Sequence, residues 1–307
     1  FPPCAPPRES WEEKAKDSMD EMRYETPESL EDAVALLAAA KGETKILAGG
    51  TDLLVQLRAE MIEPELVVDV KRIPGMLDIT EEDGGFRIGA ATPSAEIDEH
   101  AGVKKLWPGV VEAAELIGSV QIQGRASIGG NLCNASPAAD SVPAMIVAAA
   151  VATVVGPDGS REVPVEDIAT GPGETSLAKG EIVASIFLPA RPAHSGDAYL
   201  RFIPRTEMDI AVVGAGISLT LDDDGTCTDA KVCLGAVAER AILVEDGAKA
   251  LIGTKVDDDA LENLAAAASA AARPIDDKRG TKEFRTHVAG VLARRAAKIA
   301  LDRAKGN

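Results

Sequence analysis

Lys45-Ile46-Leu47-Ala48-Gly49-Gly50-Thr51-Asp52-Leu53-Leu54 is the stretch that decides how this chain reads. Lys45 to Ala48 is a short apolar run of strand type. The glycines end it, and the pattern from Leu53 to Met61 predicts a helix. A glycine turn between strand and helix suits an anion. Glycine has no Cβ to block close approach and adopts φ > 0 freely, so successive N–H groups can converge on phosphate oxygens. A helix start adds free donors and a favourable dipole. Ser127-Ile128-Gly129-Gly130-Asn131 repeats the theme as a second glycine turn. Neither follows G-x-G-x-x-G or G-x-x-x-x-G-K-[ST], and neither brings the lysine or second acid of Mg²⁺-assisted phosphoryl chemistry. One Gly-Gly turn is ordinarily only a turn. Two together suggest a diphosphate held by main-chain amides, which favours a dinucleotide cofactor over a hydrolysed nucleoside triphosphate.

The flanking sequence is regular. Pro27 to Leu37 opens with a helix-start signal and places Leu30, Val34 and Leu37 at helical spacing, and Leu66 to Val70 reads as a buried strand. Residues 22–75 therefore form one α/β unit. Residues 76–192 alternate strands (Phe86 to Ala90, Thr153 to Gly156, Ile182 to Ile186) with helices (Pro93 to His100, Trp107 to Ile117, Val142 to Ala152). Pro189 to Gly196 reads as a linker. Residues 197–307 form a third region. It holds a strand from Ile210 to Leu221, a turn at Asp222-Asp223-Asp224-Gly225, a hairpin partner at Lys231 to Ala236, and helices over 257–272 and 281–304. The triple aspartate lacks EF-hand ligand spacing and reads as a solvated turn. Residues 1–21 differ from the rest. Four prolines in the first seven residues forbid a helix or central strand. We read a flexible leader there; the alternative is an arm that docks on a partner subunit.

Composition excludes several functions. Of 307 residues, 46% are hydrophobic and 27% charged, as in globular proteins, and no run approaches the ~18–20 apolar residues of a membrane span. Lys+Arg number 32 against Asp+Glu 50, a net charge of -18, which repels nucleic-acid backbones and anionic membranes. Cys4, Cys133, Cys227 and Cys233 form no C-x-x-C pair, so they read as free thiols in a reducing cytoplasm rather than as disulfides, a zinc site or an iron–sulfur site. His100, His194 and His287 stand apart and suggest no metal site or triad.

After the second turn, small and polar residues suit a backbone lying against a ligand. Asn134 and Ser136 are candidate donors. Asp140 is either the N-cap of the following helix or an acceptor for ribitol or ribose hydroxyls, and the residues alone leave both readings standing.

Four segments carry a resemblance: Ile46 to Leu54, Ser127 to Asp140, Asp209-Ile210-Ala211-Val212-Val213, and Pro274-Ile275-Asp276-Asp277-Lys278-Arg279-Gly280. In this order they resemble the FAD-binding medium subunit of molybdenum hydroxylases, the xanthine dehydrogenase and carbon monoxide dehydrogenase family. The likeness covers about residues 22–304. It implies an α+β fold of the PCMH type: two N-terminal subdomains around FAD, then a C-terminal domain of a small antiparallel sheet plus helices.

The resemblance also implies roles. Ile46, Leu47, Ala48, Gly49, Gly50, Thr51, Asp52, Leu53 and Leu54 would wrap the diphosphate. Ser127, Ile128, Gly129, Gly130 and Asn131 would contact the second phosphate and the flavin, and Asp140 the ribityl or adenosine side. Ile117 and Val183 fall beside the cofactor, with core packing as the competing reading. Arg201 aligns with a position that is often lysine near the flavin, a departure that leaves its role and that of Tyr199 unassigned. The FAD would be noncovalent. Molybdopterin would sit on a large partner subunit and two [2Fe–2S] clusters on a small one, in a dimer of heterotrimers. Electrons would pass through FAD to NAD⁺ or another acceptor. No cysteine-bearing insertion for an extra cluster, of the 4-hydroxybenzoyl-CoA reductase kind, is present. Two alternatives remain: a free-standing FAD oxidoreductase of the same fold, and a scaffold subunit that has lost FAD.

Overall fold

A computed structural model describes residues 22–306. The expected leader, residues 1–21, lies outside them. The first unit runs β1 (Arg23–Glu25), α1 (Leu30–Ala39), β2 (Thr44–Leu47), α2 (Leu53–Arg58), β3 (Leu66–Asp69). The strands form a parallel sheet in the order β1-β3-β2. The central strand must bury both faces, which is why Leu66-Val67-Val68 is continuously apolar. Alternation then sorts the side chains. Val67 packs with Leu47 and Leu53 on one side, while Leu66 and Val68 join the main core on the other. α1 starts where the sequence marks it, with the Ser29 hydroxyl accepting the Asp32 N–H at 3.1 Å. α2 is shorter than the expected helix to Met61. Ala59 caps it, and Glu60 turns to φ 54°.

The second unit opens with the hairpin β4 (Ile79–Glu82) and β5 (Gly85–Gly89). Six short helices follow: α3 (Ser94–Glu99), α4 (Ala101–Leu106), α5 (Pro108–Glu115), α6 (Val120–Gln123), α7 (Ile128–Cys133) and α8 (Ser141–Val147). The chain then returns through β6 (Val151–Gly156), β7 (Gly159–Pro164), the small hairpin β8 (Ala169–Gly171) and β9 (Glu174–Thr175), and β10 (Ile182–Leu188). The five-stranded sheet, ordered β4-β5-β10-β6-β7, is antiparallel throughout, and its central β10 is buried at all but one position. The helix expected over Val142 to Ala152 ends at Val147. Ala149 adopts φ 53° and reverses the chain into β6, a stop no glycine announces.

The third unit is a four-stranded antiparallel sheet, β11 (Ser195–Phe202), β12 (Val213–Leu221), β13 (Cys227–Gly235) and β14 (Ile242–Leu243), with α9 (Glu245–Leu251), α10 (Asp258–Ala271) and α11 (Lys282–Gly306). The strand expected from Ile210 begins at Val213. One sheet face takes α11, whose alanines at 289, 293, 296, 297, 300 and 304 are fully buried. Their small side chains allow close approach: a Cβ on Gly196 would lie 2.0 Å from the Ala300 carbonyl. The other face takes α8, and there Gly216 abuts the Pro143 carbonyl. Buried Asp197 fastens the unit to α5, accepting Gly109 N–H at 2.8 Å and Arg191 Nη1 at 2.7 Å. Among the described residues no helix is long and apolar enough to cross a membrane.

Candidate functional site

A cavity of about 580 Å³ lies where the first two units meet. Its floor is the loop after β2. Ile46, Ala48, Gly49, Gly50, Thr51, Asp52 and Leu53 all line it. The facing wall is the start of α7 (Ser127, Gly129, Gly130, Asn131 and Asn134), with Ile117 and Val183 beside it. The structure thus brings together most of the residues singled out from sequence.

The two Gly-Gly pairs serve different ends. Gly50 uses conformational freedom, at φ +75°. Gly49 does not; it is glycine because a Cβ there would lie 1.8 Å from the Arg125 carbonyl, where the chain running into α7 crosses it. The Ser127 to Asn131 segment is not a φ > 0 turn but the first turn of α7. The Ser127 hydroxyl caps it by accepting Gly130 N–H at 3.1 Å. Gly129 is helical, and its missing Cβ admits the Ala90 carbonyl, which would otherwise stand 2.3 Å away. Gly49 therefore locks the floor loop to the segment entering α7, and Gly129 locks α7 to the chain just after β5.

The chemistry of the floor lies in its main chain. The N–H groups of Gly49, Gly50, Thr51, Asp52 and Leu53 have no acceptor within hydrogen-bonding distance among the described residues. Consecutive unpaired amides on residues that line a cavity offer donors to an anion. A Cβ on Gly50 would meet the Leu47 and Leu54 side chains, at 2.8 and 3.1 Å. The donor set and the cleft fit the diphosphate of a dinucleotide, and the apolar Ile117 and Val183 fit an aromatic ring system.

Several expected contacts are placed elsewhere. Leu47 alternates away from the cavity into the small core with Val67. Leu54 is solvent-exposed on α2, and Ile128 is fully buried beneath α7. Ser136 accepts Ala138 N–H at 3.2 Å in a local turn. Asp140 gives α8 no side-chain cap, so that reading is corrected. It is buried against the third unit instead. Its Oδ1 accepts the Tyr199 hydroxyl at 2.9 Å and its Oδ2 accepts Arg201 Nη1 at 2.7 Å. Arg201 Nη1 also donates to the Leu116 carbonyl at 2.7 Å, and so braces the backbone next to Ile117. Burial raises the Asp140 carboxyl to about 6, against the pull of Arg201 and the Tyr199 hydroxyl. Burial also raises Tyr199 well above the usual tyrosine range, with Asp140 adding to it. The link to the site is Asn131, whose Oδ1 accepts Ser141 N–H at 3.2 Å and the Ser141 hydroxyl at 2.7 Å.

Sequence reasoning missed the far end of the cavity. Thr44 and Gln56 line it, as do Gly173, Thr175 and Leu177 around the β8–β9 hairpin. Gly173 sits at φ +74°, and its N–H donates to the Ala135 carbonyl at 3.0 Å. The signal was the turn sequence Thr170-Gly171-Pro172-Gly173.

A parallel β–α unit joined through two interlocked glycine segments to an antiparallel unit, with free amides over the cleft, defines a dinucleotide-binding flavoprotein. Residues 20–191 match the FAD binding domain in molybdopterin dehydrogenase, and residues 198–300 match the CO dehydrogenase flavoprotein C-terminal domain. The chain is 34% identical to the carbon monoxide dehydrogenase medium chain of Afipia carboxidovorans over 92% of this chain and 97% of that one. It is 30% identical to the xanthine dehydrogenase FAD-binding subunit of Escherichia coli O157:H7, over 92% of this chain and 97% of the relative. A chain of the reconstituted CO dehydrogenase from Oligotropha carboxidovorans superposes with a TM-score of 0.87 at 34% identity, covering 92% and 98% of the two chains. The chain belongs to the family of FAD-binding subunits of molybdenum hydroxylases, and it is an oxidoreductase subunit with FAD as its cofactor.

Proposed function

We propose that this chain carries noncovalent FAD as the electron-transfer subunit of a molybdenum-containing hydroxylase. It takes electrons from [2Fe–2S] clusters of a small partner subunit and passes them to NAD⁺ or another acceptor. Molybdopterin belongs to a large partner subunit, and the complex is a dimer of heterotrimers in the cytoplasm. The observation that carries this reading is the row of unpaired amides from Gly49 to Leu53, on residues that all line the cavity. Bound FAD supplies the redox chemistry, and the protein supplies binding, orientation and electrostatics. Gly49 to Leu53 hold the diphosphate. Ser127, Gly129, Gly130 and Asn131 bound the second phosphate and the flavin, Asn134 is a further donor, and Ile46, Ile117 and Val183 give apolar contact. Asp140, Tyr199 and Arg201 brace this wall from behind.

A further observation supports the division of labour: relatives are named as a medium chain or an FAD-binding subunit. The domains we propose, 22–75, 76–192 and 197–307, correspond to the three larger of the four sheets, with β11 beginning just ahead of the third boundary, at Ser195. The test is co-purification from the native source with analysis for Mo, Fe and FAD. The expected result is a yellow chain that travels with two partners holding the metals. Purified chain that is colourless and refuses added FAD would overturn the reading. Substrate turnover by the isolated chain would replace it with a free-standing oxidoreductase.

A further inference from the structure

We infer that Lys71 and Arg125 are positioning residues for the diphosphate: from behind the first glycine loop they hold its carbonyls, so that its amides face the ligand. This rests on the FAD reading above. Lys71 Nζ donates to the Ala48 carbonyl at 2.9 Å and to Asp69 Oδ1 at 2.6 Å. Asp69 is itself fixed, because its Oδ2 accepts the Tyr24 hydroxyl at 2.7 Å. Arg125 Nε donates to the next carbonyl, that of Gly49, at 3.3 Å. Neither cationic side chain lines the cavity, so both carbonyls are drawn away from it.

The described peptides are all trans. In a trans peptide the C=O and the following N–H point in opposite directions. Holding the Ala48 oxygen therefore turns Gly49 N–H the other way, and holding the Gly49 oxygen does the same for Gly50 N–H. A Gly-Gly step left to itself samples many backbone states. Two anchors on consecutive peptides remove that freedom before the ligand arrives, which is preorganisation. Lys71 does not act as a counter-ion to the diphosphate, since Asp69 already matches its charge. Its contribution is the direction of a peptide plane.

The test uses the deflavinated full-length chain, titrated with FAD and followed by flavin fluorescence. Lys71→Met is expected to weaken FAD binding about tenfold or more, as for loss of a charge-assisted hydrogen bond, and Arg125→Met roughly three- to tenfold. Lys71→Arg is expected to restore most of the affinity. At saturating FAD the visible circular dichroism of the bound flavin should match wild type, because the ring environment is untouched. Binding by Lys71→Met within twofold of wild type overturns the inference. So does weaker binding that comes with an altered flavin spectrum or that Lys71→Arg fails to rescue, since either marks general disruption. If Lys71→Met does not fold, Tyr24→Phe decides: a two- to threefold loss supports the anchor, and unchanged affinity overturns it. Wild-type chain that takes up no FAD sinks the functional reading itself. Wild-type uptake with unaffected variants sinks only this inference.

Discussion

Gly49→Ala is the sharpest probe of how the site is built. A Cβ at this position would lie 1.8 Å from the Arg125 carbonyl oxygen and 2.5 Å from its carbon. Ordinary contact begins near 3.4 Å, so the two segments must part by about 1.6 Å. Both are backbone, and no side-chain rotation relieves the clash. Overpacking of this kind costs about 1–3 kcal/mol in stability. The larger effect is on the ligand, because parting the segments displaces the floor amides from the α7 wall. Gly124→Ala is the control, since a Cβ there meets nothing within 4 Å and Gly124 does not line the cavity. The assay is the flavin-to-protein absorbance ratio after gel filtration, with thermal unfolding alongside. Gly49→Ala should emerge nearly flavin-free and less stable, and Gly124→Ala should retain its FAD. If Gly49→Ala kept full flavin content and the wild-type melting temperature, the interlocking argument would be wrong.

Three other perturbations test the surrounding structure. Ser127→Ala removes the cap on Gly130 N–H and should cost about 1 kcal/mol by chemical denaturation, with weaker FAD binding. Arg201→Met leaves the Asp140 carboxylate buried with only Tyr199, which should cost about 3–5 kcal/mol at pH 7 and visibly less at pH 5, where Asp140 is protonated; an equal loss at both pH values would refute the pairing. Asp140 titrates near 6 in the fold against an ordinary 3.8, so between those values the folded chain binds more protons than the unfolded one. Stability should therefore fall as pH rises through that window, by roughly 3 kcal/mol at most, a slope that Asp140→Asn should lack in unfolding measured from pH 4 to 7.

Local order was readable where local rules decide it. The Leu66 to Val70 run announces a buried strand, and the helix-start signal in Pro27 to Leu37 announces α1; both hold in the structure. What escaped depends on contacts distant in sequence. The Gly129-Gly130 pair was read as a turn because glycine usually signals one, whereas Gly129 is required by the Ala90 carbonyl packed against it. Asp140 beside a helix start reads either as a cap or as an acceptor for sugar hydroxyls, but its partners Tyr199 and Arg201 arrive from a sheet about sixty residues on. The β8–β9 hairpin escaped because strands of three and two residues leave almost no periodic pattern.

The cations that line the cavity have a consequence for its surroundings. Lys45 pairs with Glu43, whereas Lys179 donates to the neutral Ala40 carbonyl and keeps its full charge. A doubly charged ligand is thus received by peptide dipoles together with a cation that no carboxylate compensates. Dissolved ions screen the cation far more than the short-range dipoles. Flavin retention by this acidic chain should consequently weaken only modestly with ionic strength, so a briny interior would leave most of the coenzyme in place.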